Sequence, residues 1–132
     1  YRPEGSYTEE ERIQHIADLT GIFPMSMVVT DRIQNKLEEL HVPDISEYDA
    51  DLQICWCIPR KVQKKKNRNG KNFYVVTVID SNSAETRIRC WSVDPEKDFI
   101  HLNRPYMIRP KYSLEWGFST YGRVNSSWVL LG

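Results

Sequence analysis

Hydrophobic positions recur at helical intervals up to about residue 42, and from Leu52 onward fall in short runs rich in Ile, Val, Tyr, Trp and Thr. Ile13, Ile16, Ala17 and Leu19 fall at helical intervals in a short amphipathic helix expected from about Glu9 to Thr20 and followed by Gly21. Thr8 and Glu11 have the capping-box spacing for its start. A second helix is expected from Thr30 or Asp31 to about His41, with Ile33, Leu37 and Leu40 on one side, because Pro43 disfavours a helical residue before it. The later runs predict strands at about 52–64, 72–80, 85–93, 105–112 and 120–131. Asn69-Gly70 marks the first hairpin, since a type I′ turn needs positive φ at both central positions. Residues 80–83 make the next turn.

Three tightly coupled strands, an irregular connection over 94–105 and two further strands fit a mainly β fold. The pattern suits a five-stranded Greek-key OB-fold barrel preceded by a short α-helical N-terminal segment. A small sandwich or an SH3-like barrel is the alternative; a barrel agrees better with so many short strands because closure removes exposed edges. The expected division is an acidic helical lead-in over 1–51 and the barrel over 52–132. The first residue is Tyr1, which suggests an excerpt from a longer protein.

Zero net charge hides a split: residues 1–54 carry 4 Lys+Arg against 12 Asp+Glu, and residues 55–132 carry 14 against 6. A basic module behind an acidic lead-in suggests an anionic partner, although the halves also attract one another. The basic half concentrates seven cations and no acid between Arg60 and Lys71. A solvated hairpin tip is the plain explanation of such a run, and an arm for phosphates is the functional one. The next strands change the balance. "ETRIRCWSV" alternates Arg87, Arg89 and Trp91 with Ile88 and Cys90, giving one basic, aromatic face and one apolar face. "NFYVVTVID" is apolar on both alternations. "SLEWGFSTYG" interleaves Trp116, Phe118 and Tyr121 with Gly and small polar residues, the composition of a base-stacking loop or of a barrel plug.

Catalysis finds little support. His15, His41 and His101 are scattered, no zinc spacing, phosphate loop or nucleophile elbow occurs, and the Asp94, Glu96, Asp98 patch is thin for a metal. No catalytic residue, metal or cofactor is expected, nor a membrane partner, since no stretch approaches the ~20 apolar residues of a membrane helix. Cys55, Cys57 and Cys90 sit in apolar runs and suit reduced thiols in a cytoplasmic protein.

The segment "VQKKKNRNGKNFYVVTVIDSNSAETRIRCW", and more loosely "LNRPYMIRPKYSLEWGFST", resembles the OB-fold domain of C-family replicative DNA polymerases, the alpha subunit of DNA polymerase III of bacteria and phages. The matching order is Lys64 to Lys66, Gly70-Lys71, Tyr74 to Val78, Asp80 and Arg87 to Trp91. A Gly often follows the Asp in that family, whereas this chain runs Ser81-Asn82-Ser83-Ala84. The polymerase palm's catalytic carboxylate motif is absent, so polymerase activity would belong to a longer parent chain. Registering the second strand on OB-fold motifs places Phe73 and Thr77 outward. The resemblance implies a non-catalytic, sequence-tolerant single-stranded DNA-binding module acting in replication beside other replisome domains or subunits. Lys64, Lys65, Lys66, Arg68 and Lys71 are expected to track phosphates. Arg87 and Arg89 would add charge or stacking, and Phe73, Trp91, Trp116 and Phe118 would stack bases. The same strand grammar in anticodon-binding domains leaves RNA as an alternative ligand, and a protein-interaction domain is a third reading.

Overall fold

The computed structural model describes residues 9–94 and 96–131, so the cap expected at Thr8 lies outside the described residues. Helix α1 spans Glu9–Thr20, α2 Met25–Val28 and α3 Asp31–Glu39. The end of α3 explains its length better than Pro43 alone does. His41 takes φ +55, the Val42 amide donates to Leu37 O at 2.9 Å and the His41 amide to Glu38 O at 3.2 Å. That is the Schellman arrangement, and Val42 joins Leu37 in the same apolar cluster.

Seven strands follow: β1 Cys55–Lys66, β2 Asn72–Ile79, β3 Glu85–Trp91, β4 Tyr106–Ile108, β5 Lys111–Ser113, β6 Gly117–Tyr121 and β7 Trp128–Leu130, with a short helix α4 at Val124–Ser127. They form one curled sheet in the order β5-β6-β3-β2-β1-β4-β7. The five expected strands are therefore corrected to seven, and two interruptions account for the difference. Pro110, which offers no amide donor, follows Arg109 between β4 and β5. The single run from Tyr106 to Ser113 thus pairs with β1 at one end and β6 at the other, which curls the sheet back on itself. The α4 turn divides the expected last strand into β6 and β7; β6 runs parallel to β3, and β7 antiparallel to β4.

The curl gives the sheet a dry inside. Cys55 and Cys57 of β1, Tyr74, Val76 and Val78 of β2, Ile88 and Cys90 of β3, Tyr106 and Ile108 of β4, and Trp128 form its main cluster. Each fully buried large aliphatic there contributes about 1.5–3 kcal/mol. Buried polar tips are satisfied: Tyr74 Oη donates to Asp98 O at 2.9 Å, and Trp128 Nε1 to Thr120 Oγ1 at 3.1 Å. The three cysteines are buried free thiols, and burial pushes Cys55 up to about 12 and Cys90 up to about 11.

A second cluster lies outside the sheet, where Ile13, Val28, Ile33 and Leu37 of the helical segment meet Trp56 and Ile58 of β1 and Ile79 of β2. The first half of β1 is accordingly buried on both faces. β1 leaves β4 after Cys57 and pairs with β2 from Ile58, and a register shift between Pro59 and Lys61 makes Arg60 an extra residue within that second pairing. The helices thus cover one end of the outer face and leave the other end open.

Candidate functional site

The uncovered end of the outer face is assembled from three strands in register. Lys65 of β1 pairs with Phe73 of β2, which pairs with Trp91 of β3; Gln63, Val75 and Arg89 form the next row, and Lys61, Thr77 and Arg87 the one after. Period-two alternation places these residues on one face because Tyr74, Val76, Ile88 and Cys90 occupy the dry side. Phe73, Thr77 and Trp91 are half-buried here, and the helical cluster packs on Trp56, Ile58 and Ile79 instead.

An open groove of about 450 Å3 runs over this face, lined by Gln63, Lys65, Phe73, Val75, Arg87, Arg89, Trp91 and Trp116. Three cations and three aromatic rings line it without a carboxylate. The rings form a continuous ladder. Phe73 and Trp91 have centroids 4.8 Å apart at an interplanar angle of 31°, and Trp91 meets Trp116 edge to face at 6.5 Å. Trp116 comes from the β5–β6 connection and is 53% exposed. Arg89 Nη1 donates to Trp116 O at 2.6 Å, while its guanidinium carbon lies 5.5 Å from the indole centroid. This contact ties a loop aromatic to the sheet. Beside it, Lys111 Nζ lies 5.8 Å from the Tyr121 ring.

The basic run is split by the strand's own alternation. Lys65 lines the groove, whereas Lys64 lines a separate recess of about 260 Å3 on the opposite side of the hairpin, with Val62, Tyr74, Phe99 and Leu102. Lys66 shares the alternation of Lys64, and Arg68 and Lys71 stand exposed in the turn. The lysines expected to act as one arm therefore address two faces. Phe118 is a correction as well. Its register partner in β3 is the interior Ile88, and its ring packs against Tyr48 edge to face at 5.0 Å. It packs against the core inside the curl of the sheet instead of facing outward.

The tip itself is held by Asn67. Its Oδ1 accepts from the Asn69 and Lys71 amides, each at 2.9 Å, its O accepts from Gly70 N at 3.0 Å, and its amide donates to Lys71 O at 2.9 Å. Only Gly70 has positive φ, +78, so the expected two-residue type I′ turn is replaced by a longer turn with one left-handed residue. Asp80 repeats the device between β2 and β3: its Oδ1 accepts from Asn82 and Ala84 amides at 2.7 and 3.0 Å, and Ser83 takes φ +64. Ser83 thus stands where a glycine fits best. Asp44 Oδ2 accepts from the Ser81 amide at 3.0 Å and from its hydroxyl, joining this turn to the end of the helical segment.

Gln63 and Val75, which floor the groove, were not singled out in the sequence; alternation from Lys65 and Phe73 identifies both. Of the acidic patch, Asp98 is buried and accepts from Arg123 Nε and from the amides of Asp94 and Val124. Among the described residues no group of three His, Cys, Asp or Glu is placed to hold a metal ion. No helix among them is long and apolar enough to cross a membrane. Compared with known proteins, the chain matches no family model and no curated relative.

Proposed function

We propose that the curled sheet is an OB-fold and that its outer face binds single-stranded DNA without strong sequence preference. The observation that carries this is the groove in which Phe73, Trp91 and Trp116 form a ring ladder beside Lys65, Arg87 and Arg89 with no carboxylate among its lining. Ring faces take any base, at about 1–3 kcal/mol per stacked base, and cations along the same groove neutralise the backbone. The OB assignment is supported by the antiparallel β1-β2-β3 meander, the parallel β3-β6 pair and the bent Tyr106–Ser113 run joining β6 to β1. Three buried thiols agree with a reducing, cytoplasmic setting. The order of basic run, Gly70-Lys71, apolar strand, Asp80 and Arg87 to Trp91 favours a place within a replicative polymerase, where the groove would hold template strand.

Titration of Trp fluorescence with oligo-dT tests the reading. About five neutralised phosphates give a slope of log K against log salt near −3.5. A slope near zero, or unchanged affinity in Trp91→Ala, would remove it, and competition between matched DNA and RNA oligomers separates those two ligands.

A further inference from the structure

The groove does not stop at Arg87. A second recess, of about 510 Å3, lies between the C-terminal end of α1 and the sheet, and Gln63 and Arg87 line both. The two depressions therefore adjoin along β2, with Gln63 and Arg87 at their shared border. Together they span the strand from Phe73 to Ile79, about 20 Å at about 3.3 Å per residue. The recess holds a flat surface of its own: the Arg60 guanidinium carbon sits 4.6 Å from the Phe23 ring centroid, and Arg60 Nη1 donates to Asn103 Oδ1. Arg60 is there because the bulge after Pro59 turns it out of the ladder toward the helices. Asp18 and Glu85 line the same recess. Their carboxylates repel phosphate and accept from base N–H groups, so the part of a nucleotide that suits this end is the base.

We propose that the bound strand continues past Thr77 and Arg87 and places a terminal nucleobase in this recess against the Arg60–Phe23 pair, a binding station separate from the tryptophan ladder. This rests on the single-strand reading above. The helical segment is then part of the binding surface, and it sets the length of strand the domain engages.

The test compares dT4, long enough for the ladder, with dT8, long enough for both stations, binding to the intact chain. A stacked base at the second station makes dT8 about tenfold tighter than dT4 beyond what Phe23→Ala retains, from about 1–3 kcal/mol per base. In Phe23→Ala the dT8-to-dT4 ratio is expected to fall about tenfold while dT4 affinity stays as in the wild type. Phe23 also packs on the helical cluster, so Ala17→Gln provides a second obstruction of the recess from the surface of α1 and decides the matter if the first variant unfolds. A ratio unchanged in a folded variant overturns the second station. Trp91→Ala separates the two claims: weakened binding of both lengths upholds the groove whatever the ratio does, and failure of the wild type to bind either length removes both proposals.

Discussion

Arg89 and Trp116 are joined twice, by a hydrogen bond from Nη1 to the tryptophan carbonyl at 2.6 Å and by the guanidinium lying 5.5 Å from the indole centroid. A strand residue thereby positions an aromatic ring carried by a connection. Lysine at this position keeps the charge but lacks the planar fork that makes both contacts. Arg89→Lys is expected to weaken oligo-dT binding about five- to tenfold, the order of one stacking contribution, with the salt slope unchanged. Arg89→Ala should lose similar affinity and also flatten the slope by about 0.7. Wild-type affinity in Arg89→Lys would show that the arginine acts only as a charge.

The same strand shows what was legible beforehand and what was not. Arg87, Arg89 and Trp91 alternate with Ile88 and Cys90, and the structure puts the two sets on opposite faces because a curled sheet has one dry side. In β2 that signal fails: Val75 and Thr77 are nearly as apolar as Val76 and Val78, so only their neighbours in β3 decide the face. Phe118 was misplaced for a different reason. Its composition suits a stacking loop, but its direction is set by parallel pairing with Ile88, a long-range register that no local pattern encodes. The bulge at Arg60 had a local sign in Pro59, which interrupts a ladder wherever it falls. That the helices would cover Ile79 and spare Phe73 had no local sign, since both are apolar residues on the same alternation of one strand.

The paired turns predict opposite responses to the gain and the loss of a Cβ. Gly70 at φ +78 and Ser83 at φ +64 hold the same place in turns organised by Asn67 and Asp80. Left-handed backbone costs a residue with a Cβ about 1 kcal/mol. Gly70→Ala is expected to lower stability by about 1 kcal/mol, and Ser83→Gly to raise it by about 0.5–1 kcal/mol, since open space surrounds the Gly70 position and only conformation is at stake. Urea unfolding measures both. Destabilisation by Ser83→Gly would mean that its side chain contributes more than its backbone costs.

Alternation along β1 orders the lysines. Lys65 lines the groove with Phe73 and Trp91, while Lys64 lines the recess beside Tyr74 and Phe99. A mere electrostatic cloud would make the two equivalent; a groove makes them differ. Lys65→Glu is expected to weaken oligo-dT binding about tenfold or more at about 0.1 M salt, and Lys64→Glu only a few-fold, because at that ionic strength exposed charges beyond about 10 Å are largely screened. Melting temperatures of both should stay near that of the wild type. Equal losses would place the contact at the hairpin tip and not in the groove.

Asp98 links the irregular connection after β3 to the start of α4, and its ionisation state connects stability to pH. Burial alone pushes its pKa up. The Asp94 amide, the Arg123 guanidinium 2.8 Å away and the Val124 amide outweigh that and hold it below the ordinary carboxylate range. A carboxyl with a depressed folded pKa contributes stability that is fully present above its unfolded value, about 3.9, and is lost as pH falls through the folded value. Asp98→Asn keeps the shape but surrenders the charge, leaving Arg123 without its partner. The expected cost near neutral pH is about 2–3 kcal/mol, moderated because Arg123 stays partly in water. The difference between wild type and variant should then shrink as pH drops below about 4, as the wild-type carboxyl takes up the proton it resists in the folded state. Denaturant titrations of both proteins between pH 7 and pH 3 measure it. A gap that stays constant across that range would mean that Asp98 acts through its hydrogen-bonded shape alone, and that its charge contributes nothing to holding α4 against the sheet.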